Sequence, residues 1–382
     1  MTAQLPDTSE ETAMLREQVQ RFVAEKVMPH GDDWERDGAV PRDVLREMGS
    51  LGLFGIRYPE IYGGAELDVR TTAAFAEELG RSTYGGFAIG VLVHTDMASP
   101  HLANAGSQEQ KDRYMPGIVS GETITAVAVT EPGAGSDVAG IRTSAKRSGN
   151  GWVLNGAKMF ITNGQLADVY FVAAKTDPDA KGSRGISMFI VEKGTKGFAI
   201  SRGLDKMGWR SSDTAELSFD ECWVPADAML GEENRGFYAV MQNFQNERIV
   251  LSAQAMGEAQ KAIDLTLDYV RERTAFGAAL WDKQTIRQRL AMLQAEVSAA
   301  RQLVFHAAER DAAGEDCVKE VSMAKALCGE LVNKVMYTCQ QFHGGFGYMR
   351  EAPIERMVRD ARVQAIGGGA TEVMLEEVAK RM

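Results

Sequence analysis

Glu247 is the residue whose surroundings first suggest chemistry. It stands in Asn246-Glu247-Arg248, directly before the apolar run Ile249-Val250-Leu251. A lone carboxylate beside such a run is withdrawn from water. Desolvation raises a Glu pKa toward neutrality, which gives a stronger base that still ionises. The competing reading is a surface Glu that opens a helix and complements the positive end of its dipole. A second candidate is the segment Val127 to Asp137, VAVTEPGAGSD, which follows a predicted strand and packs small residues between Pro132 and Ser136. Glycine lets a backbone approach a ligand closely, and the Thr130 and Ser136 hydroxyls offer polar contacts. The segment is not the dinucleotide fingerprint, because GxGxxG fails at Gly133 and Gly135 and no helix with a second parallel strand follows. On its own it also reads as a tight surface loop.

Other chemistries are disfavoured. The five histidines are dispersed, with no i, i+4 pair of the kind a zinc helix needs, so no metal is expected. Cys222, Cys317, Cys328 and Cys339 contain no CxxC pair, and the last three recur at 11 residues. On a helix that spacing is about three turns, so they share one stripe and read as small buried residues in a reducing compartment. With 42 Lys and Arg against 53 Asp and Glu, the formal charge of -11 argues against nucleic acid or an anionic membrane as partner. Met1 to Glu11 is polar and acidic, unlike a secretory signal or a transit peptide, so a cytoplasmic location is the default expectation. Apolar stretches such as Phe87 to Val93 fall far short of the ~20 residues that span a bilayer.

These residues need elements to position them. Thr8 and Glu11 have capping-box spacing, and Met14, Leu15, Val19, Phe22, Val23 and Val27 fall on one helical face until Pro29. Helix-period stretches at Asp43 to Leu51, Thr71 to Leu79 and Glu109 to Ile118 continue a helical layer. After Gly121 come short alternating or β-branched runs: Thr123 to Thr130, Trp152 to Leu154, Val169 to Lys175, Ile186 to Val191 and Ala215 to Phe219. Turn residues at Gly149-Asn150-Gly151 and Lys181-Gly182-Ser183 punctuate them, as in an antiparallel sheet or small barrel. Long helical segments at roughly 236–273, 283–313 and 317–342 then suggest a bundle. The expected fold is α+β without βαβ units. It comprises an N-terminal all-α domain (1–121), a central antiparallel β-barrel-like domain (122–235) and a C-terminal helix-bundle domain (236–382).

VAVTEPGAGSD is followed by NGAKMFITNG at Asn155 to Gly164, and together they resemble the paired signatures of the acyl-CoA dehydrogenase family. YPEIYGG at Tyr58, DKMGWRSS at Asp205, RTAFG at Arg273 and QFHGGFGYM at Gln341 occur in that family's order and spacing. The resemblance implies the same three-part fold, its C-terminal part a four-helix bundle, and an FAD cofactor. It implies that Val127, Val129, Thr130, Ser136, Phe160, Ile161 and Thr162 meet the flavin from the β domain. It further implies that Arg273, Phe276, Gln284, Gln341, Gly344 and Gly345 reach the FAD of a neighbouring subunit in a homotetramer, a dimer of dimers. Thr371 and Glu372 are further cofactor candidates.

In most of the family the catalytic Glu lies in a YEGT-like loop near the C-terminus. Here that loop reads IGGGATE, Ile366 to Glu372, and Gly368 matches the Glu. A branch resembling long-chain and isovaleryl-type enzymes places the Glu on the first bundle helix in a segment ending in ER, which Glu247 matches. The implied reaction is α,β-dehydrogenation of an acyl-CoA thioester, with electrons passed to an electron-transfer flavoprotein. The base must face the flavin across the substrate. In the family the thioester oxygen accepts from a ribityl hydroxyl and from the backbone N–H at the position of Gly368, a donor that survives loss of the side chain. Ser136, Tyr238, Asn246, Arg248, Gly368 and Gly369 are the implied substrate contacts, and Gly367 to Gly369 leave room for long or branched acyl chains. Ala370 replaces a Thr that usually contacts the cofactor, and Gln245 an acid before the base segment. The alternatives are an acyl-CoA oxidase or flavin monooxygenase on this fold, or a flavoprotein without catalysis.

Overall fold

The computed structural model describes residues 9–180 and 182–382, so the predicted cap at Thr8 and the turn residue Lys181 lie outside the described residues. Ser9 opens the first helix, its hydroxyl accepting from the Thr12 N–H at 3.3 Å. The α-helices of this layer are α1 (Glu10–Phe22), α2 (Gly31–Asp37), α3 (Arg42–Ser50), α4 (Val69–Gly80), α5 (Gly85–Leu92), α6 (Ser99–Ala105) and α7 (Gln108–Ser120). Helical periodicity located α3, α4 and α7. The single helix predicted through Val27 is instead α1 followed by a π-helical turn, Val23–Val27. The apolar stretch at Phe87 likewise becomes α5, which runs into a second π-helical turn at Val93–Ala98.

The sheet comprises β1 (Thr125–Ala128), β2 (Ser144–Ser148), β3 (Gly151–Thr162), β4 (Val169–Lys175), β5 (Ile186–Glu192), β6 (Phe198–Gly203), β7 (Thr214–Pro225) and β8 (Met229–Leu230). Its order is β6-β7-β3-β2-β4-β5-β8, with β1 on β4. The antiparallel expectation needs correction, because β1 runs parallel to β4 from Thr125↔Val169 to Ala128↔Val172. β2 meets the same edge of β4 further along, also in parallel, at Ser144↔Lys175. The long β2–β3 excursion separates β1 from β4 and supplies the crossover that a parallel pair needs. The predicted turn is a two-residue hairpin loop, Gly149-Asn150, between Ser148 and Gly151, with Gly149 at φ 59°.

β4 and β5 are apolar on both faces because each face has its own core. Tyr170, Val172, Ala174, Phe189 and Val191 point into the sheet's interior core with Trp152 and Leu217. The alternate residues Phe171, Ala173, Met188 and Ile190 pack against Leu102, Met115 and Ile118 of the helical layer. The C-terminal part has three long helices, α8 (Gly236–Glu272), α9 (Gln284–Ala312) and α10 (Val318–His343), and two short ones, α11 (Pro353–Ala361) and α12 (Thr371–Ala379). The four-helix expectation holds with α12 as the short fourth member packed on α10, while α4 packs against α8 and α9 from the N-terminal layer. A single hydrophobic cluster therefore runs from Phe75 and Phe87 through Ile249 and Met256 to Val332. All four cysteines are buried thiols. Among the described residues no helix is long and apolar enough to cross a membrane.

Asp360 on α11 ties three segments together. Its carboxylate accepts from the Gly85 N–H at the start of α5 (3.0 Å) and from the Trp209 N–H in the loop between β6 and β7 (2.6 Å). Asp360→Ala leaves both donors unpaired and should lower stability by about 2–5 kcal/mol in urea unfolding. An unchanged unfolding midpoint would show that the pin is dispensable.

Candidate active site

Glu247 lies about three turns into α8. The helix begins at Gly236, where an added Cβ would sit 2.6 Å from the Ser187 backbone, so its first residues lie close on β5. Asn243, Glu247 and Leu251 follow at spacings of four and share one helical face. That face meets the π-turn Val93–Ala98, whose widened backbone leaves carbonyls that need outside donors. Thr95 O accepts from the Tyr58 hydroxyl (2.5 Å) and His94 O from Ser99 Oγ (2.6 Å). Asp96 O accepts from Asn246 Nδ2 (2.8 Å), and Met97 O from Asn243 Nδ2 (3.0 Å). The same Asn243 amide reaches Glu247 Oε1 at 3.0 Å.

Glu247 is 8% exposed and has no cation in hydrogen-bond contact among the described residues. Burial pushes its carboxyl up to about 8, opposed by the Asn243 hydrogen bond and by the neighbouring Arg248 charge. The surface-Glu reading is thereby excluded. Arg248 is also buried, its pKa lowered chiefly by desolvation. Its Cζ lies 5.3 Å from the Phe244 ring, and among the described residues its Nε lacks a hydrogen-bond partner.

The glycine loop stands over this helix. Gly368 has φ 64°, and a Cβ on it would lie 2.2 Å from Leu251 Cδ1 and 3.7 Å from Lys325 Cε. Leu251 thus occupies the space that a side chain at 368 would need. Arg248 Nε comes to 3.5 Å of a Cβ built on Gly369. Glu247, Arg248, Gly368 and Gly369 are therefore brought together. Two other predicted substrate contacts are differently employed. The Asn246 carboxamide is committed to Asp96 O and to Arg57, whose guanidinium donates to Oδ1 at 2.5 Å. Tyr238, about two and a half turns before Glu247, is half-exposed beneath the Arg235 guanidinium (4.7 Å).

The β-domain candidates form a shelf. Lys158 on β3 is fully buried and donates to Val129 O (2.9 Å) and Glu131 Oε1 (2.8 Å), while Glu131 also accepts from the Arg142 and Thr143 N–H groups. Met159 N–H donates to Thr130 O (2.9 Å), which docks the Thr130–Ser136 loop along β3. There the β3–β7 register shifts between Lys158 and Ile161, Phe160 takes φ 61°, and its ring is 64% exposed. A Cβ at Gly133 or Gly135 would meet nothing within 4 Å, so the loop's outer side is open. An exposed ring on the strand to which Thr130 is docked fits a planar, polar-edged cofactor such as FAD. Val129 and Ile161 are buried in the cores flanking the sheet and can offer only backbone groups, while Val127 is half-buried.

The remaining cofactor candidates lie elsewhere in the chain. Arg273 ends α8, and Gln341, Gly344 and Gly345 end α10. Tyr269 joins these two ends, its hydroxyl donating to His343 O (3.2 Å) and its ring stacking on His343 at 4.4 Å. Phe276, in the short hairpin after α8, is 97% exposed, and Gln284 opens α9 nearby. This end of the bundle is roughly 39 Å from Glu247 along α8, at about 1.5 Å per residue. Thr371 and Glu372 begin α12, where the Thr371 hydroxyl donates to Glu330 at 2.8 Å, and Ala370 caps the helix without a side-chain bond.

This architecture agrees with comparisons to known proteins. Residues 9–122, 126–222 and 234–382 match the N-terminal, middle and C-terminal domains of acyl-CoA dehydrogenases. The chain is 43% identical over 380 residues to the mitochondrial long-chain specific acyl-CoA dehydrogenase of Mus musculus, covering 98% of this chain and 87% of the mouse one. It is 38% identical over 368 residues to the mitochondrial isovaleryl-CoA dehydrogenase of Pongo abelii, covering 96% and 87%. A crystal structure of acyl-CoA dehydrogenase from Geobacillus kaustophilus superposes with a TM-score of 0.96 at 41% identity, covering 99% of both chains. The chain belongs to the acyl-CoA dehydrogenase family of enzymes, which use FAD.

Sequence reasoning passed over Asn243, Leu251 and Lys325. Only the spacing of four around Glu247 could have pointed to the first two. Gly368→Ala must accept both a left-handed backbone and a collision with Leu251, and should lower stability by about 1–3 kcal/mol. Leu251→Ala in the same chain should recover part of that loss. A stable single variant would mean that the loop moves freely away from α8.

Proposed function

We propose that the chain converts a fatty acyl-CoA thioester to the trans-2-enoyl-CoA, with Glu247 taking the α-proton. The observation that carries this reading is a carboxyl buried with one hydrogen bond, on the helix face that lies under Gly368. FAD, held by the Thr130, Ser136, Phe160 and Thr162 shelf, would supply the acceptor for the hydride leaving the β carbon. Asn243 engages Oε1, leaving Oε2 to face the α carbon. The Gly368 N–H has no acceptor in the chain among the described residues and is free to donate to the thioester oxygen. That bond acidifies the α C–H, and one such donor stabilises a developing oxyanion by about 3–4 kcal/mol. The buried Arg248 orders the loop beside Gly369. The space beside Gly368 and Gly369 is filled by Leu251 and Met374, so the room expected from the glycines is not there. The similarity to a long-chain relative favours long acyl chains, and electrons would pass to an electron-transfer flavoprotein.

The separation of Glu247 from the Arg273, Phe276 and Gln341–Gly345 end supports a shared cofactor. Both groups cannot serve one flavin within a single chain, so a second copy would complete each FAD site in a dimer of dimers.

Glu247→Gln should keep bound FAD yet lose bleaching of the flavin absorbance by acyl-CoA; full bleaching would remove Glu247 from the mechanism. The base acts ionised, and burial holds it protonated below about 8. The limiting rate of flavin reduction in the native enzyme should therefore rise with pH through that region and fall away on the acid side. A rate independent of pH there would contradict the assignment. Arg273→Ala should release FAD more readily and weaken association on size-exclusion chromatography with light scattering. A native chain that is monomeric with full FAD would disprove the shared site.

A further inference from the structure

Lys325 is buried in α10 at 2% exposure, and among the described residues it has no carboxylate in contact. Its ammonium donates to two backbone carbonyls, Gln364 O at 2.6 Å and Gly369 O at 3.2 Å. These carbonyls flank the loop that contains Gly368, and Lys325 Cε lies 3.7 Å from a Cβ built on Gly368. Burying an ammonium is costly without a counter-charge. Desolvation pushes this one down to about 8, a shift reinforced by Arg248 and opposed by Cys328. Packing alone would be served as well by Leu or Met.

Lys325 is one of three α10 residues, spaced by four, that receive the 361–369 segment. At Gly329 an added Cβ would lie 2.8 Å from Gln364 O, so the helix and the segment are in close backbone contact. Asn333 Nδ2 donates to Ala361 O at 3.1 Å. The segment is held from its other side as well. Gln364 Nε2 reaches Glu258 on α8 at 3.4 Å, and Gln254 Nε2 donates to the same carboxyl at 2.8 Å. The loop after Ala365 has few other ties: Ile366 and Gly367 N–H groups both donate to Val363 O, and the Gly368 N–H is left open.

We propose that Lys325 is a positioning residue for the reaction: by clamping the carbonyls of Gln364 and Gly369 it fixes the direction in which the Gly368 N–H points at the thioester oxygen. This rests on the reading of Gly368 as the carbonyl donor. Among the described residues Lys325 makes no hydrogen bond to Glu247, so the proposed role acts through the loop.

The test uses the FAD-loaded enzyme with trans-2-dodecenoyl-CoA bound, reading the thioester carbonyl stretch by difference Raman, together with the limiting rate of flavin reduction by dodecanoyl-CoA. Lys325→Met keeps the volume and removes the donors. It should retain FAD and bind the enoyl thioester with little change, move the carbonyl band toward its position in free ligand, and slow flavin reduction roughly 10–100-fold. Lys325→Gln, which can still donate, should give an intermediate band. A Met variant with the native band and rate overturns the proposal, as does failure of both variants to accumulate with FAD, which would make Lys325 part of the folding core only. Glu247→Gln in the same assay separates the two claims, since it should lose flavin reduction while keeping the native band. If Glu247→Gln reduces flavin normally while Lys325→Met shifts the band, the base assignment fails and the positioning role stands.

Discussion

Asn243 gives Glu247 its one side-chain hydrogen bond among the described residues, with the same amide that caps carbonyls of the π-turn at Val93–Ala98. The position of the carboxyl therefore depends on a backbone irregularity in another part of the chain. A regular α-helix at Val93–Ala98 would use those carbonyls internally and leave Asn243 nothing to hold. The π-turn opens them, α8 fills them with Asn243 and Asn246, and Glu247 is carried into a dry region next to Ile249 and Val250. Withdrawal from water without a contacting cation is what raises the carboxyl to about 8. A contacting cation at that point would favour the ionised form and make a weaker base.

Leu251 and Gly368 would account for the proposed base standing on the helix and not on the loop. A left-handed glycine with Leu251 Cδ1 at 2.2 Å from its virtual Cβ leaves no room for a loop carboxylate. Glu247 stands one turn earlier on the same face of α8, where the proposed mechanism places the base. The loop retains a backbone donor, and α10 holds that loop through Lys325, Gly329 and Asn333. In the proposed mechanism the labour is divided between two helices: α8 would carry the proton acceptor, and α10 would aim the hydrogen bond that makes the proton acidic. The cofactor shelf is built separately, on a buried Lys158–Glu131 pair that fixes a glycine-rich loop against a bulge in β3.

Much of this was legible beforehand, for identifiable reasons. Long amphipathic runs gave α8, α9 and α10 nearly to the residue, and the continuous apolar runs of β4 and β5 gave their strands. β2 and β6 were not anticipated, because most of their residues are exposed and lack an apolar pattern. The π-turns were hidden inside apolar helical runs, since periodicity does not register a single widened turn. The desolvation of Glu247 followed from its neighbours in sequence. Lys325 did not, since its partners are carbonyls of a distant segment, and a lone lysine on a helix reads as surface. Asn246 read as a substrate contact, whereas folding engages it with Arg57 and Asp96. The parallel β1–β4 pair was missed because strand patterns do not encode direction.

The central claim is a spatial one, that the Glu247 carboxyl faces the α carbon of the thioester from the side opposite the isoalloxazine ring. A crystal structure of the FAD-loaded enzyme with a non-oxidisable 3-thiaacyl-CoA tests it directly. The account predicts a Glu247 carboxylate oxygen within about 3–3.5 Å of the α carbon, with the Gly368 N–H on the thioester oxygen. A different acidic side chain at the α carbon, with Glu247 turned away from the ligand, would contradict it.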